Sequence, residues 1–413
     1  MSFPLPNTAD NNALHTDNLI GLAELMTRVF RGEDISEIGD FLMQRAQRDD
    51  AHALLDLSVL LQLQGHKETG VALQNEALSL QQSFTLYPAQ TQSQVKLLAI
   101  YTRGDLMTNT PLEFLAEGSG FTLQTLYIAD DLPEPAIIPP HDVAMVAISE
   151  LDRNLSSLPL AQKLMPRLKA PVLNRPDKVA KLSRDTISQQ MQGVSGIEMP
   201  LTLRLARQAL LSVNDSPAMQ QRLESQFSFP VIIRPIDSHA GKDLAKVDNA
   251  DELQSYLQQC HCDAYFIAPY IDYRSDDGHF KKYRIMVIDG APYLAHMAIS
   301  DDWMIHYLNA GMLESAEKRF EEAQAMGNFD RHFGARHREA FKVLTQEIGL
   351  EYYGVDCAET TDGKLLVFEA CASLNVHAMD CPKTFPYKQP QMKKIFDAFH
   401  QMLLRKAAQE CDF

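Results

Sequence analysis

Apolar residues recur at helical spacing through the first part of the chain, where Leu22 and Met26 are typical of one buried helix face. Gly65 interrupts a second helical run and marks a turn between two helices. The pattern predicts helical hairpins, which we assign to residues 15–92. The preceding residues 1–14 are polar and contain proline, and we expect them to form a disordered tail.

The hydrophobic pattern changes near residue 93, where short apolar runs begin to alternate with helical segments. The runs that we interpret as buried strands are VKLLAIY, FTLQTLYIA, DVAMVAIS and APVLN. Strands that alternate with helices predict a parallel, doubly wound sheet, so we assign residues 93–198 to a Rossmann-like domain. No GxGxxG sequence follows the first strand, and a dinucleotide site is therefore not expected.

Residues 199–413 have the mixed pattern of an α+β domain. The expected strands are FPVIIRP, AYFIAPYIDY, YRIMVIDG and APYLAHMAI, and Asp289-Gly290 is typical of a two-residue turn between the last two. An amphipathic pattern at MKKIFDAFHQMLLRKA predicts a C-terminal helix. Together, the three segments predict a multidomain protein that combines α/β and α+β architecture.

A further hairpin is predicted at residues 354–370, GVDCAETTDGKLLVFEA. Asp362-Gly363 is typical of a two-residue type I′ turn, so Thr361 is expected to pair with Lys364. Counting outward along both strands then places two acids, one from each strand, directly opposite each other.

These acids are Asp356 and Glu369, with Cβ atoms expected roughly 5 Å apart. Facing carboxylates repel unless one binds a proton or a cation lies between them. The pair therefore indicates a divalent-metal site, with Mg²⁺ or Mn²⁺ as the ion. The alternative is an exposed hairpin face on which the two acids are only solvated.

The chain has 413 residues, a net charge of −16 and a pI near 5.2. This charge argues against nonspecific binding to nucleic acid or to an anionic membrane, because both favour clustered Lys and Arg. No apolar run approaches the length of a membrane span, and we see no signal-peptide pattern. The six cysteines lack a disulfide-framework spacing, so we expect reduced thiols and a cytoplasmic protein.

The order of these elements resembles that of ATP-grasp ligases, especially relatives of glutathione synthetase and ribosomal-protein glutamate ligase, over residues 95–400. The segments that carry the resemblance are RPDKVAKLSRDTISQQM, FPVIIRPIDSHAGKDL, KKYRIMVIDG and GVDCAETTDGKLLVFEACASLN. It implies a pre-ATP-grasp domain at residues 93–198 and an ATP-grasp domain at residues 199–413. Residues 51–81 resemble one tetratricopeptide-type hairpin, either a docking site for a peptide or protein or a plain helical cap.

The resemblance implies that a strand end and the following loop bind the phosphates of ATP. Arg234 stands where the family usually has an ATP-contacting Lys, and its guanidinium group is a permanent, forked phosphate partner. The loop with Ser238, His239 and Gly241 would cover the phosphates. Lys242 would add charge to this loop, and the alternative interpretation is a loose surface turn.

Two further segments are implied to contact ATP. Thr186 stands near another position where related ligases have a Lys, and Lys181 or Arg184 would compensate. The adenine base would lie beside an exposed strand edge, for which an ordinary core strand is the alternative. The residues at this edge are Ala268, Pro269, Tyr270 and Ile271.

Arg284 lies on an otherwise apolar strand, and the resemblance implies a catalytic contact with phosphate or with the acyl phosphate. A structural ion pair is the alternative, because a buried Arg needs a partner. We expect the nearby Lys282 to lie on the other face and to be solvated. A following polar and aromatic segment would contact the substrate or pack under a lid. Its residues are His296, Asp301, Trp303, His306 and Tyr307.

Asp356 and Glu369 match the family's two metal-binding acids. The family commonly has Asn two residues after that Glu, whereas this chain has Cys371, whose thiol is a poor ligand for Mg²⁺. Asn375 would supply an oxygen instead if the strand bends, or a water molecule would fill the position.

The resemblance implies an ATP- and Mg²⁺-dependent carboxylate–amine ligase, which forms an amide or peptide bond through an acyl phosphate. Its substrates would be an amino acid, a small peptide or the tail of a protein, and similar ligases are commonly dimers or tetramers. The changes at Cys371 and Thr186 motivate an alternative, a catalytically impaired nucleotide-binding or scaffold protein. A third interpretation is a kinase-like protein that stops after phosphate transfer.

Overall fold

The computed structural model describes residues 19–86, 93–116, 119–212, 228–238 and 241–409. The tail predicted for residues 1–14 lies outside these described residues. The first helices are α1 (Leu22–Phe30), α2 (Ser36–Ala46), α3 (Ala51–Leu63) and α4 (Lys67–Leu80). Helices α3 and α4 form a hairpin, and Gly65 between them has φ 89°, a conformation that favours glycine. The predicted hairpin is present, while its relation to tetratricopeptide units stays a prediction.

The first sheet consists of β1 (Ser83–Leu86), β2 (Val95–Thr102), β3 (Phe121–Ile128), β4 (Val143–Val146) and β5 (Val172–Leu173). Its strand order is β1-β3-β2-β4-β5. Strand β2 pairs in parallel with β3 and β4, and β4 pairs in parallel with β5, which confirms the predicted parallel sheet. Strand β1 pairs antiparallel with β3, although it lies in the segment assigned to helices. A four-residue strand is too short to disturb the apolar period of the helices before it.

Short helices accompany this sheet. They are α5 (Glu113–Ala116), α6 (Ser157–Leu164), α7 (Pro176–Val179) and α8 (Arg184–Gln190). Ser183, with ψ 141°, separates α7 from α8, which begins at Arg184. Strand β6 (Ile197–Glu198) follows and pairs in another sheet.

The second sheet is small and antiparallel. Its strands are β7 (Leu203–Ala206), β8 (Val231–Pro235), β9 (Ala245–Val247) and β10 (Ala264–Pro269), in the order β7-β10-β8-β9. Helices α9 (Arg207–Leu211) and α10 (Ala250–Gln259) accompany it. Ile233 and Ile267 pack into the core on one face, and Arg234 and Phe266 line a cavity on the other. Alternation along each strand therefore separates a core face from a face that lines the cavity.

The third sheet carries the predicted acids. Its strands are β11 (Phe280–Ile288), β12 (Ala291–Ser300), β13 (Tyr352–Glu359) and β14 (Leu365–Cys371), with β6 parallel to β14 at one edge. The strand order is β12-β11-β13-β14-β6. The remaining helices are α11 (Ala316–Gly327), α12 (Phe333–Arg336), α13 (Arg338–Ile348) and α14 (Lys388–Ala407). The mixed α/β multi-sheet architecture that the sequence predicts is confirmed.

The turn between β11 and β12 confirms the predicted two-residue hairpin. Ile288 pairs with Ala291, and Asp289 and Gly290 have φ 49° and 82°. Two successive positive φ angles are the requirement of a type I′ turn.

Helix α14 joins the first and third sheets. Phe399 on this helix is fully buried, and its ring lies 5.8 Å from the ring of Phe121 in β3 and 5.2 Å from that of Tyr352 in β13. A common core therefore holds these two sheets together. Within the described ranges, no helix has the length and apolarity needed to cross a membrane.

Candidate functional site

A cavity of about 590 Å³ lies between the second and third sheets and extends to the first sheet and α1. Most of the predicted site residues line it. They are Arg184, Arg234, Ser238, Gly241, Ala268, Pro269, Tyr270, Ile271, Arg284, His296, Trp303, His306, Tyr307, Asp356, Glu369 and Asn375. Segments separated by almost 200 residues in sequence thus meet around one space.

Three predicted residues lie outside the lining of this cavity. Lys181 and Lys242 are exposed to solvent. Asp301 is also exposed, and its nearest basic neighbour is His279, at 3.2 Å between Nε2 and Oδ1. His239 lies outside the described residues, so its role stays a prediction.

A row of four polar side chains crosses the third sheet at the cavity. Arg284 in β11 pairs with His296 in β12 on one side and with Asp356 in β13 on the other. Asp356 in turn pairs with Glu369 in β14. Because directly opposed residues project from the same face, all four side chains belong to one surface. The predicted opposition of the two acids is present.

The strand register that places the two acids opposite each other differs at the turn from the predicted register. Thr360, not Thr361, pairs with Lys364: the Thr360 N–H donates to the Lys364 carbonyl at 3.0 Å. The loop therefore has three residues and ends with Gly363 at φ 80°. A β-bulge between Asp356 and Cys357 then offsets the extra loop residue. The predicted turn is wrong, and the bulge restores the predicted pair.

Asp356 is 2% exposed and is held by two cations. Arg284 donates to it from Nε at 2.8 Å and from Nη2 at 3.0 Å, and Lys282 Nζ lies 3.0 Å from Oδ2. Burial alone would raise the pKa of Asp356, but Arg284 and Lys282 hold it well below its usual range. The carboxylate is therefore ionised at neutral pH.

The contact with Asp356 corrects the expectation for Lys282. Lys282 and Arg284 are two residues apart on one strand, so their side chains point to the same face. Lys282 accordingly lines the cavity rather than the solvent surface. Strand periodicity alone would have found this residue.

Glu369 pairs with a cation from a different part of the chain. Arg184, at the start of α8, donates to Glu369 Oε2 and also to the Phe368 carbonyl, the latter at 3.3 Å. Burial lowers the pKa of Arg184, and the neighbouring Cys371, Glu150 and Asp356 oppose that change. Arg184 therefore links the helix that follows the first sheet to the row of polar side chains on the third sheet.

Cys371 is fixed in a polar setting that the sequence did not reveal. Its Sγ lies 3.3 Å from the Ser373 backbone nitrogen, and Glu150, after β4, accepts a hydrogen bond from the Ala372 N–H at 3.1 Å. Burial raises the pKa of the Cys371 thiol, and Glu150 raises it further. The thiol is therefore neutral and an unsuitable ligand for a hard cation.

The residues present fit a divalent cation through oxygen donors. Asp356 and Glu369 supply two carboxylates, and Oδ1 of Asn375 is buried without a hydrogen-bond partner among the described residues. Mg²⁺ prefers such hard oxygen ligands. Among the residues that the structure describes, no three His, Cys, Asp or Glu side chains form a metal cluster, so the third protein donor would be the Asn375 amide.

Arg234 provides a second cationic group on the opposite wall. Its Nε donates to Ser238 Oγ at 3.1 Å, and its Nη2 donates to the Ser238 carbonyl. Burial lowers the pKa of Arg234 well below its usual range, and Arg184 lowers it further. Among the described residues no carboxylate pairs with Arg234. A buried cation with neutral partners and a second cation nearby is suited to binding an anion.

Aromatic side chains form the remaining wall. The Trp303 ring lies 5.9 Å from the Tyr270 ring, and the Tyr273 hydroxyl donates to the Trp303 carbonyl at 2.6 Å. The His296 ring lies 4.6 Å from that of Tyr307. Burial lowers the pKa of His296, and Arg284 lowers it further, so this imidazole is neutral at pH 7.

Several lining residues were missed by the sequence reasoning. Glu150 follows a parallel strand, and ligands commonly bind beyond the carboxyl ends of such strands, which is a usable signal. Asp380 and Lys388 follow the hairpin, and Met26 and Phe30 lie on α1. Only the packing of the chain brings these last four residues to the cavity.

Comparison with known proteins gives matches at the level of structure only. No protein-family model matches the chain, and no curated protein sequence matches it. One matching solved structure is the RimK domain protein ATP-grasp from Sphaerobacter thermophilus, with 15% identity, 75% of this chain and 99% of that chain covered, and a TM-score of 0.41.

Two further solved structures are those of ligases. The D-alanine–D-alanine ligase from Bacillus anthracis complexed with ATP has 14% identity, coverage of 76% and 96%, and a TM-score of 0.44. The VanG D-Ala:D-Ser ligase from Enterococcus faecalis has 13% identity, coverage of 77% and 100%, and a TM-score of 0.44. The chain is thus similar in structure to proteins named as ATP-grasp or as ligases, and we interpret its site from its own geometry.

Proposed function

We propose that this protein is an ATP- and Mg²⁺-dependent carboxylate–amine ligase that forms an amide or peptide bond through an acyl phosphate. One observation carries the proposal: Arg184 and Arg234 face a pair of opposed acids, Asp356 and Glu369, inside one cavity. A nucleoside triphosphate with a bound divalent cation needs both kinds of group close together.

The cavity residues divide the binding of ATP among them. Arg234 and Arg184 would bind the phosphates, and Gly241, at φ 74°, lets the loop backbone approach them closely. Asp356, Glu369 and Asn375 would hold Mg²⁺ or Mn²⁺, which lowers the repulsion between the phosphates and the attacking carboxylate. Arg184 is then free to exchange its contact with Glu369 for a phosphate oxygen.

The reaction has two balanced steps. A substrate carboxylate oxygen forms a bond to the γ-phosphorus of ATP, and the bond to the β-phosphate oxygen breaks, which releases ADP. The amine nitrogen then forms a bond to the acyl carbon, the bond from that carbon to the phosphate oxygen breaks, and phosphate leaves with the electron pair. The amine proton passes to solvent. Arg284, which pairs with Asp356, would stabilise the charge of the acyl phosphate.

A nucleotide-binding protein without turnover is the second candidate. The neutral thiol of Cys371, where similar ligases commonly have an amide ligand, favours it. Oδ1 of Asn375, buried without a hydrogen-bond partner among the described residues, favours the enzyme, because it would supply the missing oxygen from four residues further along.

The test is nucleotide release from purified protein with Mg²⁺-ATP and pooled amino acids and peptides. We expect ADP together with a product whose mass is one water less than the sum of two substrates. Asp356→Asn should abolish the product, and exposed Asp397→Asn should not. ADP with a phosphorylated product and no amine requirement would indicate the kinase-like reaction, and bound ATP without turnover would favour the second candidate.

The remaining sequence expectations belong to the same proposal. Carboxylate and amine substrates follow from the chemistry above. Docking of a peptide or protein on the helical hairpins, assembly into a homo-oligomer and a cytoplasmic location stay predictions.

A further inference from the structure

One end of the cavity is lined by residues that have no part in binding ATP in the proposed function. Its walls come from α1, from residues 376–380 and from the start of α14. This end combines a buried ionic cluster with an apolar surface. A ligand that binds here would need both a charged group and an apolar group.

The ionic cluster is built around the ammonium group of Lys388, whose side chain is 3% exposed. Its Nζ lies 3.2 Å from Asp380 Oδ2 and 3.8 Å from Glu322 Oε1, and it also donates to the Tyr307 hydroxyl. Two carboxyl groups thus share one cation. Because Lys388 already contacts two carboxyl groups of the protein, it is poorly placed to bind a further anion.

The two acids differ in what they offer to a ligand. Glu322 is completely buried and accepts from Tyr307 at 2.8 Å, from Tyr387 at 2.6 Å and from the Met297 N–H at 3.1 Å. Asp380 lines the cavity, and its Oδ1 receives no hydrogen bond from any described residue. Asp380 therefore presents a free acceptor to the cavity, where a positively charged donor would be stabilised.

The apolar surface comes from the N-terminal helix. Met26 and Phe30 are one turn apart on α1, Phe30 is 50% exposed, and its ring lies 6.3 Å from that of His377. Met379 is buried beside Met26. The Ala23 N–H at the start of α1 donates to Glu113 Oε2 at 3.1 Å, which fixes the helix to the first-sheet domain.

We propose that this end of the cavity is the amine subsite and that it selects an amine with an apolar side chain. The ammonium group contacts Asp380, and the side chain lies against Met26 and Phe30. The inference rests on the proposed ligase function and names the class of its nucleophile. It also gives the helical segment a role in specificity.

The test is direct binding, measured by calorimetry on the full chain. The probe is L-leucinamide, which has an amine and an apolar side chain. Glycinamide lacks the side chain, 4-methylpentanamide lacks the amine, and 4-methylpentanoate carries a negative charge instead. We expect L-leucinamide to bind at least about tenfold more tightly than any of the three.

Two variants and one control complete the test. Asp380→Asn should weaken L-leucinamide at least about tenfold, and Phe30→Ala should weaken it about fivefold. Asp397→Asn, at an exposed position of α14 that pairs with Lys393, should leave binding unchanged. Because Phe30 is half exposed, its truncation tests the apolar contact even if Asp380→Asn fails to fold.

Equal binding of L-leucinamide and 4-methylpentanamide, or tighter binding of the carboxylate, would overturn the proposal. So would wild-type affinity in Phe30→Ala. Mg²⁺-ATP binding is measured on the same samples: if ATP binds and L-leucinamide does not, only the amine subsite is wrong. If ATP does not bind while L-leucinamide does, the ligase function fails and the subsite remains.

Discussion

Two partly buried arginines face the cavity from opposite sheets, and they differ in their partners. Arg284 in the third sheet is paired with the Asp356 carboxylate, whereas Arg234 in the second sheet contacts only the hydroxyl and carbonyl oxygens of Ser238 among the described residues. Burial lowers the pKa of both. At Arg284 the carboxylate overcomes that effect and raises the pKa, and at Arg234 it remains lowered.

This difference in partners distinguishes an arginine that is paired within the protein from one that can bind a ligand. A buried cation with a carboxylate partner has its desolvation cost offset within the protein. A buried cation with neutral partners retains part of that cost, which an incoming anion relieves. Arg234 is therefore the better candidate for binding the phosphates of ATP, whereas Arg284 also holds Asp356 in position.

Asp356→Asn should have the largest effect, because it makes the environment of Arg284 like that of Arg234. Removing one partner of a buried ion pair leaves its cations without a counter-charge, and we expect a loss of about 3–5 kcal/mol in the free energy of unfolding. Urea denaturation measures it. Asp356→Asn combined with Arg284→Met should recover part of the loss; a double variant no more stable than the single one would contradict the explanation.

The next effect concerns the buried acid Asp56, which, like Arg234, forms its hydrogen bonds with uncharged groups. Asp56 accepts from the Ile20 N–H at 2.7 Å and from the Gly21 N–H at 3.0 Å, and burial raises its pKa from 3.8 to about 7. The folded state therefore holds this proton more tightly than the unfolded state. Its stabilising contribution is complete below pH 3.8 and is lost as pH rises towards 7.

The measurement is the free energy of unfolding between pH 4 and 8 for wild type and Asp56→Asn. Relative to the variant, the wild type should lose stability with a slope of up to about 1.4 kcal/mol per pH unit, and the difference should level off above pH 7. Parallel curves would show that Asp56 has an ordinary pKa.

Arg234→Met should affect ligand binding more than stability. Because the cation lacks a carboxylate partner, its removal should change the free energy of unfolding by less than about 1 kcal/mol, while the loss of a charged phosphate contact should weaken ATP binding at least about tenfold. Calorimetry and denaturation of the same sample measure both. Lys342→Met, at an exposed position of α13 outside the cavity lining, is the matched control and should bind ATP normally.

Cys371→Asn should have the smallest effect. An amide oxygen is a better ligand for a hard cation than a neutral thiol, so we expect Mn²⁺ to bind about threefold more tightly in the presence of ATP. Electron paramagnetic resonance of Mn²⁺ gives the affinity directly. Weaker Mn²⁺ binding would show that the contacts of Cys371 with Ser373 and Glu150 support the site.

Part of the site could be predicted from local pattern. Counting outward from the predicted turn identified Asp356 and Glu369, and the resemblance to ATP-grasp ligases pointed to Arg234 and Arg284. Strand alternation should also have included Lys282, which shares the face of Arg284. The parallel sheet was also predictable, because its strands are continuous apolar runs.

Other parts could not be predicted because they depend on packing between distant segments. Lys388 meets Glu322 only through packing of α14 beside the third sheet, and Met26 lines the cavity from α1, which Glu113 contacts at the Ala23 N–H. Strand β1 was missed because four residues carry too little periodicity to distinguish a strand from the end of a helix.

Because of the bulge at Asp356, the position of the two acids does not depend on the conformation of the hairpin tip. A two-residue turn without a bulge and a three-residue loop with one bulge both bring Asp356 opposite Glu369. Substitutions at Asp362 or Gly363 that switch the tip from one arrangement to the other would leave the carboxylates in place. The tip of this hairpin can therefore change in sequence without moving the two opposed acids.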